Sequence, residues 1–313
     1  MKAKMTLFSL VLAPALLFAQ YDYGFDFAKT GSGGLQFLKI GVGARETAMG
    51  EAVAGSVRDV NAVFWNPAGL AFAGDYQASF SQNNWLVKSE QISAAVAIPL
   101  KFFTAAISAS SFRIDDFEET TVTQPDGTGR MVSAGDLAIG LSVARRFTNH
   151  LAIGGQVKYV EEKLDSDRIT NVLFDIGALY DTGFRHLRLA FSLQHFGPDM
   201  KVVDQTFRTP LLFRLNASDE VFSSKEMALT AAAELVHATD HVEVVNIGAE
   251  LQLHQLLFLR GGYRFNTDEG KLACGFGVIT PRLGGVQLKL DYSYVQSEIV
   301  FADINRFTLG LAF

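Results

Sequence analysis

The chain has 313 residues, with 27 basic and 33 acidic side chains and a net charge of -6. The acidic balance argues against nucleic acid as a partner, and one cysteine, Cys274, excludes an intrachain disulfide or a cysteine-rich metal site. Mean hydropathy is +0.18, yet no run of apolar residues after the N-terminus is long enough for a membrane helix. The apolar residues are therefore spread over many short elements.

Residues 1–19 have the pattern of a secretory signal peptide. Lys2 and Lys4 form a basic start, and residues 7–18 are an apolar stretch too short for a good membrane span. Ala19 is the best candidate for the last residue before cleavage. A short membrane anchor is the alternative interpretation of this segment.

Residues 20–75 are predicted to form an N-terminal segment that contains a small helical domain. Its residues 41–72 do not alternate between polar and apolar, and the small residues Ala44, Ala48 and Ala52 have helical spacing. Pro67 and Gly69 then predict a turn. Such a segment cannot be a lipid-facing strand, so in a barrel it would lie inside as a hatch or under the mouth.

Residues 76–313 show the alternation of β-strands with one apolar face. In 286–294, for example, the odd positions are polar or charged and the even positions are apolar or aromatic. Because a lipid-exposed sheet cannot leave an unpaired edge, this pattern predicts an all-β, transmembrane antiparallel barrel. A soluble β-sandwich also alternates and stays open as an alternative. Cys274 is predicted to face lipid.

The alternation predicts about 14 strands. An even number places both barrel ends on one side, the periplasmic side of a bacterial outer membrane, and the long segment 113–135 outside the cell. The aromatic C-terminus, Phe313, resembles the insertion signal of outer-membrane proteins. The predicted strands are 76–83, 89–99, 102–112, 136–147, 151–163, 170–181, 187–196, 210–217, 226–237, 242–253, 256–265, 271–280, 285–296 and 305–313.

The sequence contains no motif that indicates a catalytic, metal or cofactor site. His237 and His241 flank a predicted turn and lack further ligands at metal-site spacing. The acidic loop around Asp115 fits a solvated surface better than a calcium site. No nucleotide-binding or hydrolase motif occurs, so we expect no enzyme activity. A further set of charged residues is predicted to form a network in the lumen, either to hold the hatch or to guide a polar head group: Arg45, Arg113, Arg188, Arg260, Arg264, Asp175, Glu250 and Asp291.

The N-terminal segment carries a motif that resembles a known family. Its pattern is G-x-R-x-x-x-M-G-x-A, then an aspartate, then N-P-A-G-L. This resembles the hatch of FadL/TodX-type outer-membrane proteins and, within them, of the PorV/PorQ family. Glu51 departs from the family, which often has glycine there. The matching residues are Gly43, Arg45, Met49, Gly50, Ala52, Asp59, Asn66, Pro67, Ala68, Gly69 and Leu70.

The resemblance implies a monomeric barrel with an internal hatch in the bacterial outer membrane, in contact with lipid. It favours a role in type IX secretion, in which secretion-system components handle cargo at the outer membrane. The alternative is passive uptake of hydrophobic small molecules, such as fatty acids or hydrocarbons, through a hatch-gated barrel. By position in the motif, the candidate ligand-binding or hatch residues are Arg45, Met49, Asn66, Pro67, Ala68 and Gly69.

Overall fold

The computed structural model describes residues 33–202, 205–297 and 303–313. Within these ranges, fourteen antiparallel strands close into one barrel, and a two-stranded hairpin lies apart from it. The barrel strands are β1 (Gln77–Asn84), β2 (Ser89–Pro99), β3 (Thr104–Glu118), β4 (Met131–Arg146), β5 (Leu151–Leu164), β6 (Asp167–Asp181), β7 (Arg188–Phe196), β10 (Leu212–Ser223), β11 (Met227–Ala238), β12 (Val244–Leu253), β13 (Leu257–Phe265), β14 (Leu272–Ile279), β15 (Gln287–Val295) and β16 (Ile304–Ala312). The hairpin is β8 (Met200–Val202) with β9 (Gln205–Phe207).

Neighbouring barrel strands follow one another along the chain, and β16 closes the barrel on β1. The closing pair runs from Gln77 opposite Ala312 to Asn84 opposite Asn305. Closure gives every strand two partners, so no sheet edge is left unpaired. The predicted fourteen-stranded barrel is confirmed, and the sandwich alternative is wrong because a sandwich has open edges.

The two faces of the wall differ as the alternation predicted. Leu290 is 58% exposed on the outward face, while the next residue, Asp291, is 4% exposed and points into the lumen. Cys274 is exposed on the outward face. A row of outward apolar side chains around charged inward ones is typical of a wall with lipid outside and polar contacts inside.

Three features of the wall differ from the sequence prediction. Strand β3 continues to Glu118 and β4 begins at Met131, so the connection predicted at 113–135 is shortened to residues 119–130. The hairpin β8–β9 was not predicted, and it occupies the connection between β7 and β10. The strand predicted at 210–217 continues to Ser223, so the connection to β11 is three residues instead of eight. Polar residues such as Asp219 and Glu220 suggest a loop in the sequence, but strand ends at a barrel rim also tolerate polar residues, and both lie in β10.

The barrel has two rims, which we name by the chain. The C-terminal rim holds Tyr76, whose carbonyl accepts a hydrogen bond from the Phe313 amide. The far rim holds the connections β3–β4, β5–β6 and β11–β12, at the opposite ends of the strands. Sequence patterns place the C-terminal rim in the periplasm and the far rim outside the cell, and this orientation stays a prediction.

Residues 33–76 precede the barrel and contain four short helical turns. These are a 3-10 turn Gln36–Lys39, α1 (Ala44–Ala48), α2 (Ala62–Trp65) and a second 3-10 turn Pro67–Phe72. The segment begins at the far rim, where Gly34 donates to the Arg208 carbonyl, and ends at the C-terminal rim, where β1 starts. Its central part is almost completely buried against inward side chains. We call residues 41–72 the hatch.

The predicted signal peptide, residues 1–19, lies outside the described residues. None of the helices in the described ranges is long and apolar enough to cross a membrane.

Candidate functional site

The hatch contacts inward-facing residues from strands all round the barrel, which places it in the lumen. Helix α1 packs on β13–β16, and the 3-10 turn Pro67–Phe72 packs on β3–β6. Between them, small inward alanines of β2, β3, β4 and β11 leave room for the hatch core around Val53, Val57 and Trp65. The hatch therefore meets the wall in two main regions, which use different chemistry.

The first region, which we call the charged anchor, is a buried chain of ion pairs. Arg45 binds both carboxylate oxygens of Glu250, with Nε–Oε2 and Nη2–Oε1 distances of 2.9 Å. Arg260 contacts the same carboxylate at 2.6 Å and Asp291 at 2.6 Å. Lys289 continues the chain, 3.4 Å from Asp291 and 3.4 Å from Asp59 of the hatch. Glu46 also lies 4.0 Å from Arg45, so three positive groups face four carboxylates in this network.

The lumenal charge network predicted from sequence is formed in part. Arg45, Arg260, Glu250 and Asp291 belong to the charged anchor. Arg113 does not, because it is exposed on β3 near the far rim. The other predicted members pair elsewhere: Arg264 with Glu51, Arg188 with Asp181, and Asp175 with Lys158.

Beside the charged anchor, the backbone of the hatch lies directly on wall glycines. A Cβ at Gly262 would be 2.1 Å from the Gly50 nitrogen, and one at Gly248 would be 2.2 Å from the Met49 carbonyl oxygen. Met49, a predicted site residue, is fully buried here. Two residues further on, Glu51 has φ 64, a left-handed conformation that favours glycine. The Glu51 carboxylate lies 3.4 Å from the Arg264 guanidinium.

The second region, which we call the neutral seat, centres on the fully buried Asn66. Its Nδ2 donates to the carbonyls of Ala54 (3.0 Å) and Ala178 (3.2 Å), and its Oδ1 accepts from the Ala68 amide at 3.1 Å. Asn66 therefore caps the 3-10 turn Pro67–Phe72. Wall glycines again allow close approach, because a Cβ at Gly177 would be 1.9 Å from Asn66 Oδ1.

The other residues of the predicted turn pack closely around Asn66. Pro67 lies on Gly154 of β5, where a Cβ would come within 2.4 Å of the Pro67 carbonyl carbon. Ala68 packs with Ala152 and Leu179. Gly69, in the predicted turn, does not adopt a positive φ. Its requirement is space, because a Cβ there would be 2.3 Å from the Val57 carbonyl oxygen.

Hydrogen bonds from neutral wall side chains complete the neutral seat. Ser192 donates to the Trp65 carbonyl at 3.0 Å, and Gln194 donates to the Phe64 carbonyl at 3.0 Å. The Trp65 indole donates to the Val42 carbonyl at 2.8 Å, which ties the two halves of the hatch together. Trp65 was missed as a site residue, although it directly precedes Asn66 in the motif.

The segment before the hatch is tethered at the far rim. Lys39 contacts both carboxylate oxygens of Asp240 at 2.8–2.9 Å, and Gln36 donates to the same group at 2.8 Å. Burial by itself raises the pKa of Asp240, but the hydrogen bonds from Lys39 and Gln36 outweigh it, so the pKa lies below its ordinary value. The Leu35 amide also donates to Glu162 at 3.1 Å.

A pocket lies between this segment, the hatch and the wall, and we call it the lumen pocket. It holds about 570 Å³ of space free of protein atoms, part of it continuous with solvent. Residues before and within the hatch give it an apolar side, and strands β2–β5, β7 and β10 give it a polar side. Its apolar side includes Phe37, Leu38, Ile40, Val63, Phe64 and Trp65.

The basic side chains that line the lumen pocket are all paired. Lys39 binds Asp240, Lys158 binds Asp175 at 2.7 Å, and Arg214 binds Glu234 at 2.9 Å. Arg214 also stacks on the Trp65 ring, 4.9 Å from its centroid. The lumen pocket therefore offers apolar surface and neutral hydrogen-bonding groups without an uncompensated charge among these three.

One irregularity of the wall borders the lumen pocket. His195 of β7 has φ 62 and a shifted register against β6, so β7 carries a bulge there. The His195 amide donates to the Asp175 carboxylate at 2.8 Å in place of a backbone carbonyl, and its ring lies 2.6 Å from Lys158 Nζ. Bulges re-aim side chains, and this one turns His195 into the lumen at a position where strict alternation predicts an outward residue.

Comparison with known proteins gives structural likeness only. The chain matches CymD, a monoaromatic hydrocarbon channel, with 12% identity and a TM-score of 0.62 over 88% of this chain and 98% of that one. It matches the toluene transporter TodX of P. putida with 11% identity and a TM-score of 0.59 over 87% and 96% of the two chains. It matches a FadL homologue of Pseudomonas aeruginosa with 10% identity and a TM-score of 0.56 over 87% of this chain and 98% of that one.

Neither a protein-family model nor a curated protein sequence matches the chain. At identities near one in ten, the structural matches show a shared fold and no more. The chain thus shares the fourteen-stranded barrel fold of FadL/TodX-type proteins.

Proposed function

We propose that this protein lets small hydrophobic molecules pass the bacterial outer membrane through its hatch-filled barrel. The lumen pocket carries the proposal, because it joins an apolar surface on the hatch to a polar wall whose basic groups are paired. Ligand pockets typically combine a largely apolar lining with a few polar groups in this way. The two most similar structures described above are a hydrocarbon channel and a toluene transporter, which supports the same class of ligand.

Passage requires the hatch to move, since the hatch core fills the lumen below the lumen pocket. We infer that the neutral seat is the half that moves. Phe64 and Trp65 line the lumen pocket and belong to this half, and the bonds of Asn66, Ser192 and Gln194 in the neutral seat are between neutral groups that water can replace. The ion pair of Arg58 with Asp181 of β6 on the same side is partly exposed, so water weakens it too. The charged anchor would keep the other half in place, because separating buried ion pairs is far more costly.

The proposal is tested by uptake into intact cells. A strain that produces this barrel should take up labelled toluene several-fold faster than the same strain with an empty vector, whereas uptake of labelled benzoate should rise much less. The amount of folded barrel in each strain is measured from the faster-migrating gel band of unheated samples, and uptake is compared at equal amounts. Equal toluene uptake at equal barrel amounts would contradict the proposal.

A role in type IX secretion as a PorV/PorQ family member is the second candidate. It is favoured by the motif around Arg45, Met49 and Asn66–Gly69, whereas the fold likeness to hydrocarbon channels favours uptake. Deleting the gene separates the two. Loss of surface attachment of secreted cargo, with unchanged toluene uptake, would support secretion over uptake. Under either role we propose a monomeric, non-catalytic barrel whose outward face contacts lipid.

A further inference from the structure

A second pocket lies on the other side of the hatch, near the far rim, and we call it the Arg306 pocket. It holds about 320 Å³ of space free of protein atoms, part of it continuous with solvent. Thr47 and Glu51 of the hatch form one side. The other side comes from strands β13–β16 and from Trp85 in the β1–β2 connection. The pocket is distinct from the lumen pocket and shares no lining residue with it.

Arg306 is the unusual member of this pocket. It is 2% exposed, and both its Nε and its Nη1 are buried without a hydrogen-bond partner among the described residues. Its guanidinium carbon lies 5.2 Å from the centroid of the Trp85 ring, and Glu51 attracts it electrostatically without a hydrogen bond to its Nε or Nη1. A buried charge without a hydrogen-bonded counter-charge is strongly unfavourable, so its retention here needs a reason.

The acidic groups of the pocket do not supply that counter-charge. Glu51 is paired with Arg264 at 3.4 Å, and the Glu269 carboxylate accepts a hydrogen bond from Ser297 at 3.2 Å. The Nε of Arg264 is also buried without a partner. Three guanidinium N–H positions of two neighbouring arginines are thus available in one small pocket.

We propose that the Arg306 pocket binds an oxyanion, a carboxylate or phosphate group. Guanidinium groups form strong charge-assisted hydrogen bonds with both. The hydroxyl-bearing Thr47 lines the same pocket, while Ala273, Val295 and Ile304 make its apolar floor. The anion would bridge the hatch, through Glu51-bound Arg264, to the last strand of the barrel, so occupancy would stabilise the closed lumen.

Tryptophan fluorescence gives a direct test, because the chain has two tryptophans and each lines a different pocket. In a Trp65→Phe background, Trp85 is the single reporter beside Arg306. Sodium acetate and sodium phosphate are titrated separately at constant ionic strength. We expect a saturable change of Trp85 emission with at least one of them, and the stronger response identifies carboxylate or phosphate as the preferred group.

Two further variants decide whether Arg306 is responsible. Arg306→Gln should weaken the apparent affinity at least tenfold, whereas Arg282→Gln, which alters an exposed arginine paired with Asp75, should not change it. If Arg306→Gln does not insert, thermal unfolding of the wild-type barrel replaces it, and the preferred anion should raise the unfolding temperature. A flat titration with both anions, an identical titration in Arg306→Gln, or an unfolding temperature unaffected by either anion would overturn the proposal.

Discussion

The two halves of the hatch are held to the wall by different forces. Arg45 joins β12 through a two-pronged ion pair with Glu250, and the network continues to β13 and β15. Asn66 joins β6 through one neutral hydrogen bond to the Ala178 carbonyl, and the ion pair of Arg58 with Asp181 on this side is partly exposed to solvent. Buried ion pairs resist separation, while neutral bonds exchange with water at small net cost. The comparison indicates a hatch with one fixed half and one half that can be released.

The largest expected effect comes from breaking the fixed half. Glu250→Ala leaves Arg45 and Arg260 buried without their shared carboxylate, which should cost about 3–5 kcal/mol of stability. Urea unfolding of the refolded barrel measures this cost. Glu161→Ala is the control, because Glu161 pairs with the largely exposed Arg168 and should cost less than about 1 kcal/mol. Similar losses for both variants would show that the charged anchor is not fixed by its ion pairs.

Adding one methyl group to a wall glycine tests how tightly the hatch backbone is seated. Gly262→Ala should cost about 1–3 kcal/mol, because its Cβ would lie 2.1 Å from the Gly50 nitrogen. It should also raise ion conductance, since the hatch must shift. The adjacent Gly261→Ala is a matched control with nothing within 4 Å of its Cβ. Equal stability and conductance of the two variants would show that the hatch does not rest on this strand.

A substitution in the neutral seat should lower stability less than Glu250→Ala does but should change uptake more. Asn66→Ala removes three hydrogen bonds, including the cap of the 3-10 turn, at a cost of about 1–3 kcal/mol. Because this half is proposed to move, toluene uptake should change more than barrel assembly. Asn84→Ala on the outward face of β1 is the control. Normal toluene uptake by Asn66→Ala would show that the neutral seat does not control passage through the barrel.

The smallest expected effect is pH-dependent and concerns the far-rim tether. The depressed pKa of Asp240 means that its carboxylate form stabilises the tether above the unfolded pKa of about 3.9. That contribution is lost as the pH falls through the lower pKa of the folded state. Amide exchange of residues 34–40, corrected for its intrinsic pH dependence, should keep its protection down to about pH 5 and lose it progressively as the pH falls below about 4. In Asp240→Asn the corrected protection should already be low and should vary little with pH.

The barrel could be predicted from sequence because alternation is a local signal. The polarity of a residue such as Leu290 or Asp291 predicts the face of the wall on which it lies. Fourteen segments that alternate in this way give the number of strands. Positions where tertiary contacts override this rule were not predictable. His195 points inward only because β7 bulges against Asp175, and the β8–β9 hairpin is too short to show a period.

The candidate site was predictable only as a motif. The sequence motif indicated Arg45 and Asn66 as site residues. It could not show that Arg45 is held by an ion pair and Asn66 by neutral hydrogen bonds. Their partners, Glu250 and the Ala178 carbonyl, lie 205 and 112 residues away along the chain. Arg306 gave no sequence signal at all, because an arginine on an inward strand position is ordinary until its missing partner becomes visible in three dimensions.

Two disulfide locks test the central claim, that the neutral half moves and the charged half does not. In a Cys274→Ser background, Thr47→Cys/Ser293→Cys replaces two hydroxyls 2.9 Å apart at the charged anchor. Asn66→Cys/Gly177→Cys locks the neutral seat, where a Cβ at 177 would lie 3.0 Å from Asn66 Cγ, a spacing suited to one Cβ and the partner sulfur of a disulfide.

The decisive measurement is toluene uptake by each lock when oxidised and again after reduction, so that each variant is its own control. The account predicts that oxidation of the 66–177 lock stops uptake and reduction restores it, while the 47–293 lock gives the same uptake in both states. Undiminished uptake through the oxidised 66–177 lock, or reversible loss of uptake in the 47–293 lock instead, would contradict it.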